Sequence, residues 1–288
     1  MYIYVNGSIL DSTEATISPF DHGYLYGLGL FETFRTYHGH PFLLDDHFHR
    51  LYESANELGI VLPPYERGKI VGIIQNLLRK NNLEDGYFRW NVSAGEREIG
   101  LSTDLYESPT TIAFVKGLPQ SFSSEKEAII LAQRRNTPEG SSRLKSHHYL
   151  NNIIGKREVG MNPSLEGIFL SEHGHVSEGV VSNIFWYKKS TLYTPSMESG
   201  ALNGITRQFI ISLAKKLDLK VEVGLYEQTE LEDAEEVFVS NSIQELVSIQ
   251  KLAGYSYPGS KGMLFTKLKK EYQQYTENCW SRLELLKG

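Results

Sequence analysis

The polar, aperiodic run GLPQSFSSEKE (117–127) constrains this chain most, because it separates two strand-like segments, TTIAFVKG and AIILAQ. A stretch that carries Gly, Pro and Ser without an apolar repeat reads as a connection. It cuts a chain of 288 residues into a smaller N-terminal part and a larger C-terminal part. Each part must close its own apolar core, and the length allows both to do so. The expected organisation is a small domain over 1–118, a linker over 119–127 and a large domain over 128–288.

The hydrophobic period changes along both parts. Residues 2–10 alternate like a strand, and FETFRTY and HPFLL flank a turn at His38-Gly39, which predicts a hairpin. Asp45 and Asp46 then stand where a helix cap would, ahead of Phe48, Leu51, Ala55 and Leu58 at helical spacing, with Gly59 as the stop. A second helix is expected over about 66–80, followed by strands at YFRWNVSAG and TTIAFVKG. The larger part has strand-like AIILAQ, GIFLS, VVSNIFWY and EVFVSN, and helical patterns after Lys145, after Gly204 and from about 260 to 285. The fold class is mixed α/β (α+β).

A formal charge of -6 and a pI near 5.9 argue against a nucleic acid or an anionic membrane as partner, since both need a basic face. No window approaches a membrane span, and MYIYVNGSIL lacks the basic start and long apolar run of a signal peptide. The single cysteine, Cys279, cannot form an internal disulfide and is expected in the C-terminal helix beside Trp280, so a cytoplasmic location is expected.

Several stretches carry candidate chemistry. His38, His40, His47 and His49 crowd HGHPFLLDDHFH, but no recognised ligand spacing supports a metal, and none is expected. DHGYLYGLGLFE has glycines at 23, 27 and 29 that miss the dinucleotide pattern and precede a strand, so close backbone packing is the expected use. In ALNGITRQFI, Gly204 opens a helix whose first N–H groups, at Ile205 and Thr206, would face an anion. The hydroxyl-rich VSNS (239–242) lies at the end of a predicted strand, where α/β ligand sites gather. Glu178 stands at the start of the apolar VSEGVVSNIFW and needs a positive partner, either an ion pair or a protonated heterocycle. Lys145, in RLKSHHYLNN, is either a surface charge or a nucleophile, and nothing local decides between them.

Taken in order, D-H-G-x-x-Y-G-x-G-x-F-E (21–32), H-x-x-R-L (47–51), Leu144-Lys145, E-G-x-x-S-N-x-F (178–185), G-I-T-R (204–207) and S-N-S (240–242) resemble the fold-type IV pyridoxal-phosphate enzymes. That family contains branched-chain and D-amino-acid aminotransferases and aminodeoxychorismate lyases. The resemblance implies a small sheet-plus-helices domain, a larger pseudo-barrel domain and pyridoxal 5'-phosphate as cofactor. It casts Lys145 as the Schiff-base lysine, Arg50 as a bidentate grip on the cofactor phosphate, and Glu178 as partner of the pyridinium nitrogen. Ile205, Thr206 and Ser242 would complete the phosphate cup. Phe31 would line the substrate pocket and Arg89 would contact a substrate carboxylate; an edge-strand salt bridge is the alternative for Arg89. A homodimer whose sites are completed by the other subunit is implied as well.

Two positions narrow the reaction. Ala94 stands where D-amino-acid aminotransferases carry an arginine, and Leu150 stands where branched-chain aminotransferases carry a tyrosine. RRNTPEGSSRLKSHHYLNN and ISPFDHGYLYGLGLFETFR are instead similar to the lyases of Gram-positive bacilli. The implied reaction converts 4-amino-4-deoxychorismate, a small molecule, to 4-aminobenzoate and pyruvate in folate synthesis. An aminotransferase of the same fold is the alternative.

Overall fold

A computed structural model describes residues 1–119 and 123–286. It resolves into two compact units that do not divide at a single point in the chain: Leu144–His148 and Thr276–Ser281 cluster with Met1–Pro119 in the first unit, and the rest forms the second. Residues 120–122 of the expected linker lie outside the described residues, and its last three residues, from Glu125, are already strand.

The first unit is built from β1 (Tyr2–Val5), β2 (Ser8–Asp11), α1 (His22–Tyr26), β3 (Gly29–Tyr37), β4 (His40–Pro41), α2 (Leu44–Glu57), α3 (Arg67–Lys80), β5 (Gly86–Ser93) and β6 (Thr110–Gly117). The expected single strand over 2–10 is a hairpin, because Asn6 and Gly7 both take positive φ and turn the chain. The sheet order is β2-β1-β6-β5-β3-β4. Alternation along β5 is strict: Phe88, Trp90 and Val92 are buried in the core under α2 and α3, while Arg89, Asn91 and Ser93 take the other face. Asp45 and Asp46 do not cap α2, whose cap residue is Leu43 in the left-handed region. They hold other segments, Asp45 accepting from Tyr65 at 2.8 Å and Asp46 from Ser281 at 2.9 Å.

Thr276–Ser281 joins this unit through backbone bonds from Leu43 to Cys279 (3.0 Å) and from Asp45 to Trp280 (3.1 Å). This corrects the expected C-terminal helix, because α7 (Met263–Gln273) stops short and leaves the buried Cys279 in an irregular strap. The remainder of the helical pattern is a 3₁₀ turn at Arg282–Leu286.

The second unit holds β7 (Glu125–Ile130), α4 (Leu150–Val159), β8 (Leu165–Leu170), β9 (Val176–Gly179), β10 (Asn183–Lys188), β11 (Thr191–Pro195), α5 (Ile205–Lys216), β12 (Lys220–Gly224), α6 (Thr229–Glu232), β13 (Glu236–Asn241), β14 (Glu245–Leu252), β15 (Tyr255–Ser256) and α7. Its sheet runs β12-β11-β10-β13-β14-β7-β8-β9, with β15 on β14. The edge strand β9 leads straight into the interior strand β10 through a tight turn, Gly179 N to Ser182 O at 2.7 Å, so the sheet curls back on itself as a half-barrel. Ile168, Ile184, Trp186, Val237 and Ile249 fill the inside.

Candidate active site

The expected site residues fall into two sets, one on each unit. In the first unit Lys145 sits on a short extended segment that adds to β3: Phe31 N donates to Lys145 O at 2.9 Å and His147 N to Gly29 O at 2.9 Å. Two of the glycines noted in the sequence make room for this segment. A Cβ on Gly29 would lie 2.4 Å from His147 Nδ1, and one on Gly27, which also has φ +70, would lie 2.7 Å from His148 Cδ2. The close packing expected of that motif therefore seats the two histidines that follow the lysine.

Phe31, 1% exposed, projects from β3 beneath two cations. Lys145 Nζ lies 4.5 Å from its ring centroid and the Arg89 guanidinium 3.6 Å. The face of an aromatic ring attracts positive charge and so fixes both groups without neutralising either. Arg89 is not on an edge strand, since β5 lies between β3 and β6, and its Nε donates to Asn91 Oδ1 at 3.0 Å. Ala94 is buried behind this strand, its N–H bonded to Leu28 O at 3.0 Å.

Arg50 meets a carboxylate of its own unit. Its Nε donates to Glu32 Oε1 at 2.7 Å and its Nη2 to Glu32 Oε2 at 2.6 Å, so the bidentate fork grips a carboxylate of the protein itself. His47 Nδ1 also meets Glu32 Oε2 at 2.7 Å. Burial alone would push the Glu32 carboxyl up, but Arg50 and His47 together hold it down at about 2. Burial lowers the His47 pKa, so His47 meets Glu32 as a neutral donor and Arg50 supplies the compensating charge. The other crowded histidines are engaged separately, His38 with Glu277, His40 with the Cys279 carbonyl and His49 with Glu53. No group of three metal-ligating side chains occurs among the described residues.

In the second unit Glu178 lies on β9, 4% exposed, and both its oxygens are met. Arg135 Nε donates to Oε1 at 2.8 Å, while Leu202 N (3.0 Å) and Asn183 Nδ2 (3.4 Å) meet Oε2. One guanidinium and two N–H donors thus supply this core carboxylate with hydrogen bonds. Arg143 and Arg207 feel the same charge, yet burial pushes each down to about 10, helped at Arg143 by the nearby Arg135 charge; Arg143 donates to oxygens of Gly200 and Asn136, Arg207 to those of Pro195, Thr194 and Asn203.

Ile205 and Thr206 are the first residues of α5, and its cap, Gly204, brings no side chain to the free N–H groups. Only glycine fits there, since a Cβ would fall 2.1 Å from Asn183 Oδ1. Thr206 Oγ1 and Ser242 Oγ stand 3.2 Å apart, so a hydroxyl pair faces the positive end of a helix. The buried hydroxyls of Ser182 and Ser240 have no partner. A cationic helix end, two paired and two unpaired hydroxyls and a buried carboxyl group fit a phosphorylated pyridine. Arg135, Asn183 and Ser240 were not singled out from the sequence. Asn183 and Ser240 sat within motifs already noted, whereas nothing local marks Arg135 as buried.

The family model for class IV aminotransferases matches residues 29–252. The chain is 44% identical over 279 residues to the aminodeoxychorismate lyase of Bacillus subtilis (strain 168), covering 96% of this chain and 95% of that protein. It is 33% identical over 276 residues to a putative branched-chain-amino-acid aminotransferase of Methanocaldococcus jannaschii, covering 95% and 96%. Among solved structures it superposes on the branched-chain amino acid aminotransferase of Escherichia coli with a TM-score of 0.84 at 27% identity, covering 96% and 95%. It also superposes on a putative 4-amino-4-deoxychorismate lyase of Legionella pneumophila with a TM-score of 0.82 at 27% identity, covering 92% and 97%. The chain belongs to the class IV aminotransferase family, and its fold and cofactor are those of a fold-type IV pyridoxal 5'-phosphate enzyme.

Proposed function

We propose that the protein is an aminodeoxychorismate lyase, forming 4-aminobenzoate and pyruvate from 4-amino-4-deoxychorismate. The similarity to the Bacillus subtilis lyase carries this reading, because it spans nearly the whole chain and exceeds the identity to the archaeal aminotransferase. Ala94 and the exposed Leu150 support it, since neither offers the arginine or tyrosine expected of the aminotransferases.

Pyridoxal phosphate, when bound, supplies an aldehyde that holds the substrate amine and a ring that draws electrons from the adjoining carbon. Lys145 is the amine that anchors the cofactor and, once released, takes the proton from the amine-bearing ring carbon of the substrate. The carbon–oxygen bond to the enolpyruvyl group then breaks, the six-membered ring becomes aromatic, and the departing enol takes up a proton to become pyruvate. Arg89 holds a substrate carboxylate beside Phe31. Glu178 keeps the cofactor ring nitrogen protonated, and Ile205, Thr206 and Ser242 hold its phosphate. Arg50, already paired with Glu32, acts on the phosphate through a compensated charge and not through a free fork.

The protein works as a homodimer in this reading. A strap between β5 and β6 is braced by Tyr26 Oη accepting from Gly100 N (2.8 Å) and by His22 against the Glu98 carbonyl (3.0 Å), yet it leaves Ile99 75% and Leu101 92% exposed. Rigid support for exposed apolar tips favours a partner surface. Sedimentation measurements giving only a monomer would overturn the dimer.

Incubating the holoenzyme with 4-amino-4-deoxychorismate, and separately with amino acid plus 2-oxoglutarate, tests the reaction. Aminobenzoate is expected from the first mixture. Steady glutamate without aminobenzoate would make the protein an aminotransferase.

A further inference from the structure

Asn91 Nδ2 and His147 Nε2 are buried and have no hydrogen-bond partner. Burying a polar atom unmatched costs free energy, so two such atoms on side chains that line one cavity call for a ligand group. Both residues line one cavity of about 650 Å³ in the first unit. Asp21 and Ser93, also in its wall, already satisfy each other, with Ser93 Oγ donating to Asp21 at 2.7 Å.

The two unmatched atoms are held in place. Arg89 Nε donates to Asn91 Oδ1 at 3.0 Å, which fixes which end of the amide is the acceptor and leaves the NH₂ end as the unmatched donor. The imidazole of His147 lies 6.4 Å from the Phe31 ring at 30°, over the space that Gly29 leaves open. Around the one ring of Phe31 therefore stand Lys145, Arg89 and His147, with Asn91 bonded to Arg89. An amide donor, a guanidinium and an imidazole able to donate from Nε2 together suit an oxygen acid.

Resting on the lyase reading, we propose that Asn91 and His147, with Arg89, seat the ring carboxylate of the substrate. That carboxylate is carried on the same ring as the amine, and Arg89, His147 and Lys145 all stand around the one ring of Phe31. A branched-chain amino acid has no group to place there, so the seat selects substrate class as well as orientation. His147, whose imidazole burial and the Arg89 charge both hold below its ordinary pKa, gains a counter-charge when the carboxylate arrives.

Asn91→Leu and His147→Leu in the holoenzyme test the seat. KM for 4-amino-4-deoxychorismate is expected to rise about 10-fold to 100-fold with kcat changed far less, the size of losing a hydrogen bond to a charged group. Binding of 4-aminobenzoate, which keeps the ring carboxylate, should weaken by a similar factor, and pyruvate binding should not. His147→Gln, which retains a donor, should recover part of the loss, which a packing role would not produce. In ¹⁵N spectra of the cofactor-free protein the His147 imidazole should shift on titration with 4-aminobenzoate. Unchanged KM and unchanged 4-aminobenzoate affinity in both leucine variants, as for a cavity that holds only water, would overturn the seat while the lyase reading stands. Wild-type protein that makes no aminobenzoate would overturn the reading instead. In that case undiminished 4-aminobenzoate binding in Asn91→Leu would overturn the seat independently.

Discussion

Arg50 closes on Glu32 in a two-point fork, Nε to Oε1 at 2.7 Å and Nη2 to Oε2 at 2.6 Å, inside the first unit. The Glu32 side chain is 1% exposed and that of Arg50 15%. Removing the cation leaves a carboxylate stranded, and breaking a buried pair in this way costs about 3 to 5 kcal/mol. Arg50→Met should therefore lower the unfolding free energy of the cofactor-free protein by about that much. Adding Glu32→Gln should restore part of it, because the stranded charge is gone. Denaturant unfolding of the two single variants and the double variant gives the coupling, and additive losses would show that the pair is not the cause.

The same cluster makes the fold acid-sensitive in two windows. His47 has its folded pKa lowered, chiefly by burial, so as pH falls below 6.5 the unfolded chain takes up a proton that the folded chain resists, and stability drops. Glu32, lowered to about 2 against its ordinary 4.5, contributes stability above 4.5 that is lost as pH falls from there toward 2. Each window has a slope of at most about 1.4 kcal/mol per pH unit for one proton. His47→Asn, which keeps a donor near Nδ1, should flatten the unfolding free energy between pH 7 and 5 and leave the lower window intact. An unaltered slope between pH 7 and 5 would place the sensitivity elsewhere.

How far the sequence reached depended on the range of the interaction. The alternation of β5, the helix opening at Gly204 and the two separate cores are local patterns, and each was legible. Partners were not. Periodicity marks the face on which Arg50 lies but says nothing of Glu32 on another element, so the fork between them had no local mark. Leu144–His148 was expected with the larger domain because it follows the linker, yet its backbone bonds go to Gly29 and Phe31, more than 100 residues away in the chain. Cys279 was placed in a helix because its neighbours suit one, whereas the Cys279 and Trp280 carbonyls accept from Leu43 and Asp45 instead.

Lys145→Ala should abolish borohydride-trapped cofactor and turnover while the protein stays folded. The bond that sets this segment on β3 runs from Phe31 N to the backbone oxygen of residue 145, which alanine keeps. Mass spectrometry after reduction reads the adduct directly, and cofactor still trapped on the variant would transfer the anchor to another amine.

Gly29→Ala should disturb the same segment from the opposite side. Its Cβ would meet His147 Nδ1 at 2.4 Å and the Val92 carbonyl at 2.8 Å, a crowding that costs about 1 to 3 kcal/mol. Trapped cofactor should fall with it, since Lys145 is two residues from His147. Gly68→Ala, in α3 with nothing within 4 Å of the new Cβ, is the control and should stabilise by up to about 1 kcal/mol. Equal effects from the two substitutions, by denaturant unfolding, would remove the proposed role of Gly29.

Glu178 offers the sharpest test of where the cofactor ring nitrogen lies. Its buried ion-pair partner in the cofactor-free chain is Arg135, at 2.8 Å, while Arg143 donates to the Gly200 carbonyl and Arg207 to the Pro195 carbonyl. Arg135→Leu should therefore destabilise the cofactor-free protein by about 3 to 5 kcal/mol. If Glu178 faces a protonated ring nitrogen, the cofactor brings a replacement positive charge, so loading should recover much of that loss. The difference in Tm between loaded and cofactor-free protein is then wider in the variant than in the wild type, as a ligand that binds only the folded state requires. Glu178→Gln, which needs no counter-charge, should narrow that difference again in the double variant. A gap equal to that of the wild type would mean that Glu178 meets no cation on the cofactor, and that Arg135 and Glu178 form a structural pair alone.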